Sequence, residues 1–539
     1  LFYRRGYFQQ RLDDSDRQTE LYPLTDTTRL PLELVPMAPV VELADDDGNL
    51  VPVRLGVWHV RVGRASLYLL DTHVEGNPDW AVTDTLYGGD RANRLRQELV
   101  LGVGGVRVLR KLGLEPTVFH LNEGHSAFLQ LERMRVLVEE RGLSADEAIE
   151  RLRASTVFTT HTPVPAGNEV FAPELVRAAL GNLVERCGLT WDEFAALGKV
   201  EPDETRFGLT PFALRTSQYA NGVSELHGTV SRDMWHGIWP GRRVDEVPIT
   251  SITNGVHQRT WISGELEGLL GDTDPQFERA RELSSDDLWA AHGSAKERLL
   301  EFVARTRGAR ELDPDVLTIG FARRFATYKR ASLLFSRPDR LAALLADPDR
   351  PIQVLVAGKA HPADEGGKDV IQLVVEFARE PAAAGRVVFL EDYEMTLARR
   401  LVQGVDLWLN TPRRPFEASG TSGMKAALNG VLNCSILDGW WAEAYSPEVG
   451  FAIETLEAAA TEAEQDEADA DALFAVLEEE VLPAYYERDE TGLPQHWIEL
   501  MRESIAELGP RFGTARMVAE YVERLYLPAH AGATRLVVG

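Results

Sequence analysis

From about Asp315 onward the chain alternates short, wholly apolar runs with amphipathic ones. VLTIGFARR (316–324) predicts a buried strand, and SLLFSRPDRLAALL after it predicts a helix. IQVLVAGKA (352–360) is followed by a helical DVIQLVVEFARE, and RVVFLEDY (386–393) by TLARRLVQG. VDLWLN (405–410) leads into a loop and an apolar helix, and VLNCSILDG (431–439) closes the series. Strands apolar on both faces, separated by amphipathic helices, predict βαβ units around a parallel sheet. In such sheets ligands sit beyond the carboxyl ends of the strands. Those ends carry Arg323, Arg324, Lys359, Glu391, Asp392, Glu417 and Asp438.

The first half shows a second, less regular α/β set. PTVFHLNEGHSAFLQLERM (116–134) reads as strand, polar turn and helix, and STVFTTHTPVPAGNEVF (155–171) as strand and proline-locked loop. VPITSITNGVHQRTW (247–261) reads as a strand followed by a turn at Asn254-Gly255. LVPVRLGVWHVRVGRASLYLLD (50–71) alternates like antiparallel strands. The glycines of LGVGGVRVL (101–109) fall inside a helical pattern and read as close helix packing. The acidic LEAAATEAEQDEADADALFAVLEEE (456–480) predicts a solvated helix and its approach. The whole predicts two α/β domains, 1–255 and 256–539, joined near 255–265 with a cleft between them.

A chain of 539 residues exceeds what one core organises, which agrees with two domains. No apolar run approaches a membrane span, and no secretory pattern opens the chain. Cys187 and Cys434 lie far apart with no metal-like spacing, which points to a reducing, cytoplasmic setting. The opening LFYRRGYFQQRLD starts at Leu1 and reads as the middle of a domain, so a fragment, a trimmed chain or a processed chain is expected.

Net charge changes the picture more. At −27 the chain argues against a nucleic-acid or anionic-membrane partner, and an anionic ligand needs a local cluster of cations. FARRFATYKRA (321–331) supplies one, with Arg323, Arg324, Lys329 and Arg330 at the end of a strand. Guanidinium forks grip phosphate bidentately and lysine adds a point charge. A solvated basic helix start is the bland alternative.

EASGTSGMKAALNG (417–430) is the other candidate. Thr421 and Ser422 are N-cap residue types, and Gly420 and Gly423 permit close backbone approach to a ligand. The predicted helix start suits a phosphate. Lys425 is expected in the first turn, where the dipole and neighbouring cations favour its neutral, nucleophilic form. An ordinary strand-to-helix turn with an exposed lysine fits the pattern equally well. His125 and His161 each follow a strand without a metal-spaced partner and read as hydrogen-bonded cleft residues.

Together these motifs resemble the α-glucan (glycogen, starch, maltodextrin) phosphorylases, over a stretch from about Leu21 to beyond Phe451. EASGT-x-x-MK resembles the family's cofactor segment, which implies that Lys425 carries pyridoxal 5′-phosphate, with Gly420, Thr421 and Ser422 lining the cofactor. FARRFATYKR resembles the segment holding the cofactor and substrate phosphates, which implies roles for Arg323, Arg324, Tyr328 and Lys329. ITNGVHQRTW implies Asn254 as a glucosyl contact and Trp261 near the cofactor. HTPVP implies His161 beside the reacting sugar, and LNEGH places Glu123 and His125 in the cleft. Glu417 would bind a sugar hydroxyl, and Tyr393 would pack near the cofactor. The implied fold is two Rossmann-like domains facing a cleft, the GT-B glycosyltransferase architecture. The implied reaction is retaining phosphorolysis of α-1,4-glucan non-reducing ends by orthophosphate, releasing glucose 1-phosphate. Family members are often dimers.

Four departures stand out. The family's upstream glycine-rich loop and aromatic cofactor contact have no counterpart after Leu1. LYGGDRANRLRQE (86–98) is shorter than the gate loop of longer members. Arg323 stands where better-known members commonly have lysine, and Ser422 and Gly423 replace the usual pair before MK. Two other readings compete: a nucleotide-sugar glucan synthase, which shares the cleft but needs no pyridoxal cofactor, and a catalytically silent glucan-binding fragment.

Overall fold

The computed structural model describes residues 1–538 except 79–80, 87, 165–166, 202, 272–274, 308–311, 384 and 457–458. Tyr87 of the segment 86–98, Pro165 and Ala166 after HTPV, and Glu457 and Ala458 near the start of the acidic stretch thus lie outside the described residues.

Two parallel sheets organise the chain. The smaller contains β1 (Phe119–Asn122), β2 (Thr156–Thr159), β3 (Tyr219–Gly222) and β4 (Ile249–Ser251) in the order β4-β3-β2-β1. The larger contains β5 (Leu317–Ala322), β6 (Ile352–Ala357), β7 (Val387–Leu390), β8 (Leu407–Asn410), β9 (Leu432–Ile436) and β10 (Gly450–Ile453). Its order is β7-β6-β5-β8-β9-β10, all parallel, so the strand order reverses between β5 and β8. That is the doubly wound arrangement, whose crevice opens at the reversal, outside the carboxyl ends. Every residue of β5 and β6 is buried, as expected for strands covered by helices on both faces.

Two strands escape the hydrophobic pattern. β3 reads YANG, which as a sequence suggests a turn; here Asn221 is buried because Thr159 Oγ1 donates to its Oδ1 (2.8 Å) and its Nδ2 donates to the Tyr521 hydroxyl (2.9 Å). β10, rather than β9, closes the larger sheet. The predicted helix after β5 is broken into a short turn at Leu333–Ser336 and a helix at Pro338–Ala346, since Pro338 cannot donate to a continuing helix. Residues 50–71 form antiparallel strands as the alternation predicts, but the first pairs with Val40–Ala44 and the other two with each other.

The glycines of 101–109 lie in continuous helical structure, where a Cβ on Gly102 would meet the Leu129 backbone at 2.7 Å. The acidic helix Glu462–Val476 is less solvated than its composition suggests. Leu473 and Phe474 are buried, while Asp466, Asp469 and Asp471 bind Arg330, Arg413 and Arg337.

Both ends of the chain cross over. The hairpin Gln9–Leu12 and Gln18–Leu21 packs on the larger sheet, with Gln10 Nε2 donating to Gly358 O (2.8 Å) and Gln18 Nε2 to Ala360 O (3.0 Å). The helical segment 514–538 returns to the smaller sheet, where Tyr521, Leu525 and Ala529 bury against Val157 and Ile252.

Candidate active site

At the carboxyl ends of β5 and β8, one carboxylate meets two cations. Glu417, following β8, is bound by Arg323 Nη2 and by Lys329 Nζ at 3.0 and 3.2 Å. Arg323, directly after β5, also donates to Asn410 Oδ1 at the end of β8, so the side chains bridge the reversal point. All three charged groups are largely buried. Burial alone would raise the Glu417 pKa, but Arg323 and Lys329 overcome it and hold the carboxyl at about 2. Lys329 is lowered to about 8, first by burial and then by Arg323, with Glu417 pulling the other way. Arg323 Nε is buried with no hydrogen-bond partner among the described residues.

Around this core, Arg324 is exposed and hydrogen-bonds the Tyr328 side chain. Tyr328 is raised by burial and by Glu417, and its ring lies 5.0 Å from Lys329 Nζ. Asp438 accepts the N–H groups of Glu417 (2.8 Å) and Gly439 (2.8 Å) and is pushed up to about 7 by burial. Tyr393, half-buried at the end of the loop after β7, is raised to about 12, also by burial.

The fourth cation of the basic segment does something else. Arg330 adopts a left-handed conformation (φ 46°) and is pinned by Asp466 (2.8 Å), Asp469 (2.7 Å) and two carbonyls. It ties the loop to the acidic helix and is no part of an anion site. Lys359 is likewise engaged, with Asp392 at 2.7 Å and the Phe8 carbonyl at 2.8 Å.

Lys425 departs from its expected place. The helix is only Thr421–Ala427, so Lys425 falls in its last turn and does not face the positive end of the dipole. Its pKa is nonetheless lowered, by burial. Its Nζ sits 4.0 Å from the centre of the Trp261 ring, and among the described residues no hydrogen bond or ion pair reaches it. Gly420 (φ 85°) caps the helix without any side-chain hydrogen bond, leaving the Thr421 and Ser422 end open. Ser422 Oγ accepts from Trp408 Nε1 (3.3 Å). Gly423, by contrast, is required by packing: a Cβ there would meet Asn433 Oδ1 at 2.4 Å and Trp440 at 3.0 Å.

A second group of candidates lies on the smaller sheet. Glu123, after β1, takes φ 66° and ψ 179°, a conformation that costs a non-glycine residue about 1–3 kcal/mol. It accepts the His161 N–H and the Thr162 hydroxyl (3.0 Å). His161, after β2, has its Nε2 2.6 Å from Asn122 Oδ1 and is lowered by burial. His125 sits apart from that pair, with Nδ1 3.2 Å from Arg94 and 3.4 Å from Glu98, whose buried carboxyl is raised to about 7. Asn254 is fixed through its backbone, donating to Val223 O (3.1 Å) and accepting from Arg516 (3.0 Å). The halves touch where Ser224 Oγ donates to Ala418 O (2.7 Å), next to Glu417.

Arg323, Arg324, Tyr328, Lys329 and Glu417 therefore converge, as do Glu123 and His161, and Trp261 with Lys425. Sequence reasoning missed Asn410 and Asn122. Each is the last residue of a strand, a polar ending that could have signalled them.

A family model described as carbohydrate phosphorylase matches residues 109–451. The chain belongs to the carbohydrate phosphorylase family. It is 46% identical over 570 aligned residues to the glycogen phosphorylase of Mycobacterium tuberculosis, covering 98% of this chain and 66% of that protein. It is 42% identical to the maltodextrin phosphorylase of Thermococcus litoralis (99% and 66%) and 39% to the glycogen phosphorylase of Aquifex aeolicus (98% and 80%). The chain thus spans just under two thirds of the first two relatives. Within the matched 109–451 fall all the residues of these three groups.

Proposed function

We propose that this carbohydrate phosphorylase chain carries the site for retaining phosphorolysis of α-1,4-glucan non-reducing ends, giving glucose 1-phosphate. One observation carries the reading: at the reversal point of a doubly wound sheet, Arg323, Arg324 and Lys329 outnumber the single firmly ionised carboxylate, Glu417. Such a surplus of cations, two buried and one exposed beside them, suits a transferring phosphate, because fixed charges need no reorganisation as charge develops. The proposed architecture is two Rossmann-like units facing a cleft, in the GT-B manner. Their division falls near Gly255, with the hairpin 9–21 and the helices 514–538 exchanged between them.

The residues also fit pyridoxal 5′-phosphate. Among the described residues Lys425 Nζ has no hydrogen bond and Arg323 Nε has no partner, and Lys425 is shifted toward its neutral form, as the attaching amine must be. Lys425 would hold the cofactor, with Trp261 and Tyr393 packing near it and the backbone of Gly420, Thr421 and Ser422 beside it. When bound, the cofactor supplies a phosphate group that shares a proton with the substrate phosphate.

The chain's own residues do the rest. Arg324 and Lys329 hold orthophosphate, and Arg323 is set between it and Glu417. Glu417 and Asn254 accept or donate to glucosyl hydroxyls. Glu123 fixes the loop that presents His161 to the reacting sugar, and Tyr328 and His125 line the path of the glucan. Orthophosphate forms its bond to the anomeric carbon as the bond to the next sugar breaks, and that leaving oxygen takes up the proton from phosphate.

The test is phosphate-dependent release of glucose 1-phosphate from maltoheptaose by the chain loaded with pyridoxal phosphate, alongside borohydride reduction and peptide mapping. A pyridoxyl group on Lys425 with glucose 1-phosphate formation supports the proposal. Glucose incorporation from a nucleotide sugar, with Lys425 unmodified, would overturn it in favour of a synthase.

A further inference from the structure

About half of the arginines in this acidic chain are matched to carboxylates; among the described residues Arg133 is not. It lies on the helix Leu129–Arg135, near the amino ends of β1 and β2, and among the described residues no ion pair reaches it. Its Nη1 donates to Gln130 Oε1 (2.8 Å) and Thr156 Oγ1 (3.0 Å), and its Nη2 to Ser155 Oγ (2.6 Å). Three of the five guanidinium N–H groups are used on neutral oxygens. The two that remain, one on Nε and one on Nη2, have no hydrogen-bond partner among the described residues and are free to donate to a carboxylate or phosphate. The guanidinium is stacked 3.7 Å from the centre of the Phe119 ring, which fixes its plane. Burial without a counter-charge depresses its pKa to about 9.

Arg133 lines a cavity of 660 Å³. The floor is apolar: Leu109, Phe119, Val136, Leu137 and Leu152. Arg110, Arg141 and Arg151 stand around it, with Glu115 and Glu140 as the acidic lining residues. Glu140 is already neutralised by Arg110, at 2.6 and 2.8 Å. The lining is therefore net positive in a chain of net charge −27. A volume of this size suits a small organic ligand, with few polar groups fixing its orientation.

We propose that this cavity is a second binding site, which takes a small organic anion: its acidic head on the open edge of Arg133 and its apolar body against Leu109, Leu137 and Leu152. It is not an extension of the first site. Glu123 and His161 follow the carboxyl ends of β1 and β2, whereas Phe119 and Ser155 stand at their amino ends, on the far side of the smaller sheet.

The experiment is isothermal titration of the chain with octanoate and with phenyl phosphate, using orthophosphate as a head without a body. The expected result is one saturable site for octanoate or phenyl phosphate, at least about tenfold tighter than orthophosphate at the same site. Arg133→Gln should weaken it by about tenfold or more, as loss of a charged bidentate partner does. Thr534→Trp, at an exposed lining position, should block entry without altering the half-buried arginine, so the proposal remains testable if Arg133→Gln fails to fold. Absence of saturable binding overturns the proposal. So does binding that survives Arg133→Gln or Thr534→Trp, and especially binding lost in Arg324→Ala, which would put the probe at the phosphate site proposed above.

Discussion

β5 and β8 carry a buried charge cluster at each end, and the two clusters are built differently. At the amino ends, Lys296 Nζ donates to Asp406 (2.6 Å), the Val316 carbonyl (2.7 Å) and the Tyr485 hydroxyl (3.0 Å), spending all three of its protons. Asp406 in turn accepts from His292 (2.8 Å), Lys296 and the Thr318 N–H (2.7 Å). One lysine faces one aspartate, and apolar groups such as Trp497 seal the region. At the carboxyl ends, two cations share Glu417, a third stands exposed beside them, and Arg323 Nε has no partner among the described residues. The closed cluster balances its charges without a ligand, although His292 Nδ1 is also buried there with no hydrogen-bond partner among the described residues. The open one is short of negative charge, and that imbalance, rather than burial or perturbed pKa, separates the proposed binding site from a structural ion pair.

The contrast can be tested from both ends. The largest effect belongs to Lys425→Ala, expected to abolish reductive labelling by pyridoxal phosphate and to lower glucose 1-phosphate formation by about a thousandfold or more, with the melting temperature little changed. Next, Arg324→Ala should lower phosphorolysis by about 10²–10³-fold, read as a rise in KM for phosphate and a fall in kcat, again without loss of stability. Lys296→Met should do the reverse. Stranding Asp406 costs about 3–5 kcal/mol in urea unfolding, while any folded fraction keeps its KM for phosphate. If Lys296→Met left stability intact, the distinction between the clusters would fail.

Smaller effects sharpen the picture. With Lys329 lowered to about 8, its charge is held below that pH and lost above it, so phosphate affinity should fall severalfold between pH 7.5 and about 9. Titration of phosphate binding across this range checks it, and Lys329→Arg should remove the fall. Asp438 acts on stability. Its folded pKa of about 7 exceeds the ordinary aspartate value, so between about pH 4 and 7 the native state binds more protons than the unfolded chain. Stability from this group therefore falls as pH rises through that window, and Asp438→Asn should flatten the slope in pH-dependent urea melts.

The larger sheet was legible in the sequence because its strands are apolar on both faces, a pattern few other structures share. Its closing strand β10 was missed, although GFAI is apolar, because no preceding helix of ordinary length marks it as a further unit. β3 was illegible for a stronger reason: its buried Asn221 is stabilised by Tyr521, 300 residues away, and nothing local announces that. At the site, residue types and their position at strand ends were readable, since basic residues in an acidic chain are conspicuous. What each cation binds was not. Arg330 and Arg323 are identical letters seven positions apart, yet one is pinned by an acidic helix and the other points at Glu417. The misplacement of Lys425 came from helix length, which a Gly-flanked run of seven residues does not declare.

The return of residues 514–538 to the smaller sheet has a consequence for synthesis. Val157 and Ile252 stay without their covering side chains until Tyr521, Leu525 and Ala529 have left the ribosome. At about 5–20 residues per second, that interval is on the order of tens of seconds. The half translated first is thus the half finished last, and in a growing chain it presents an uncapped sheet face that a chaperone can hold while the larger sheet assembles behind it.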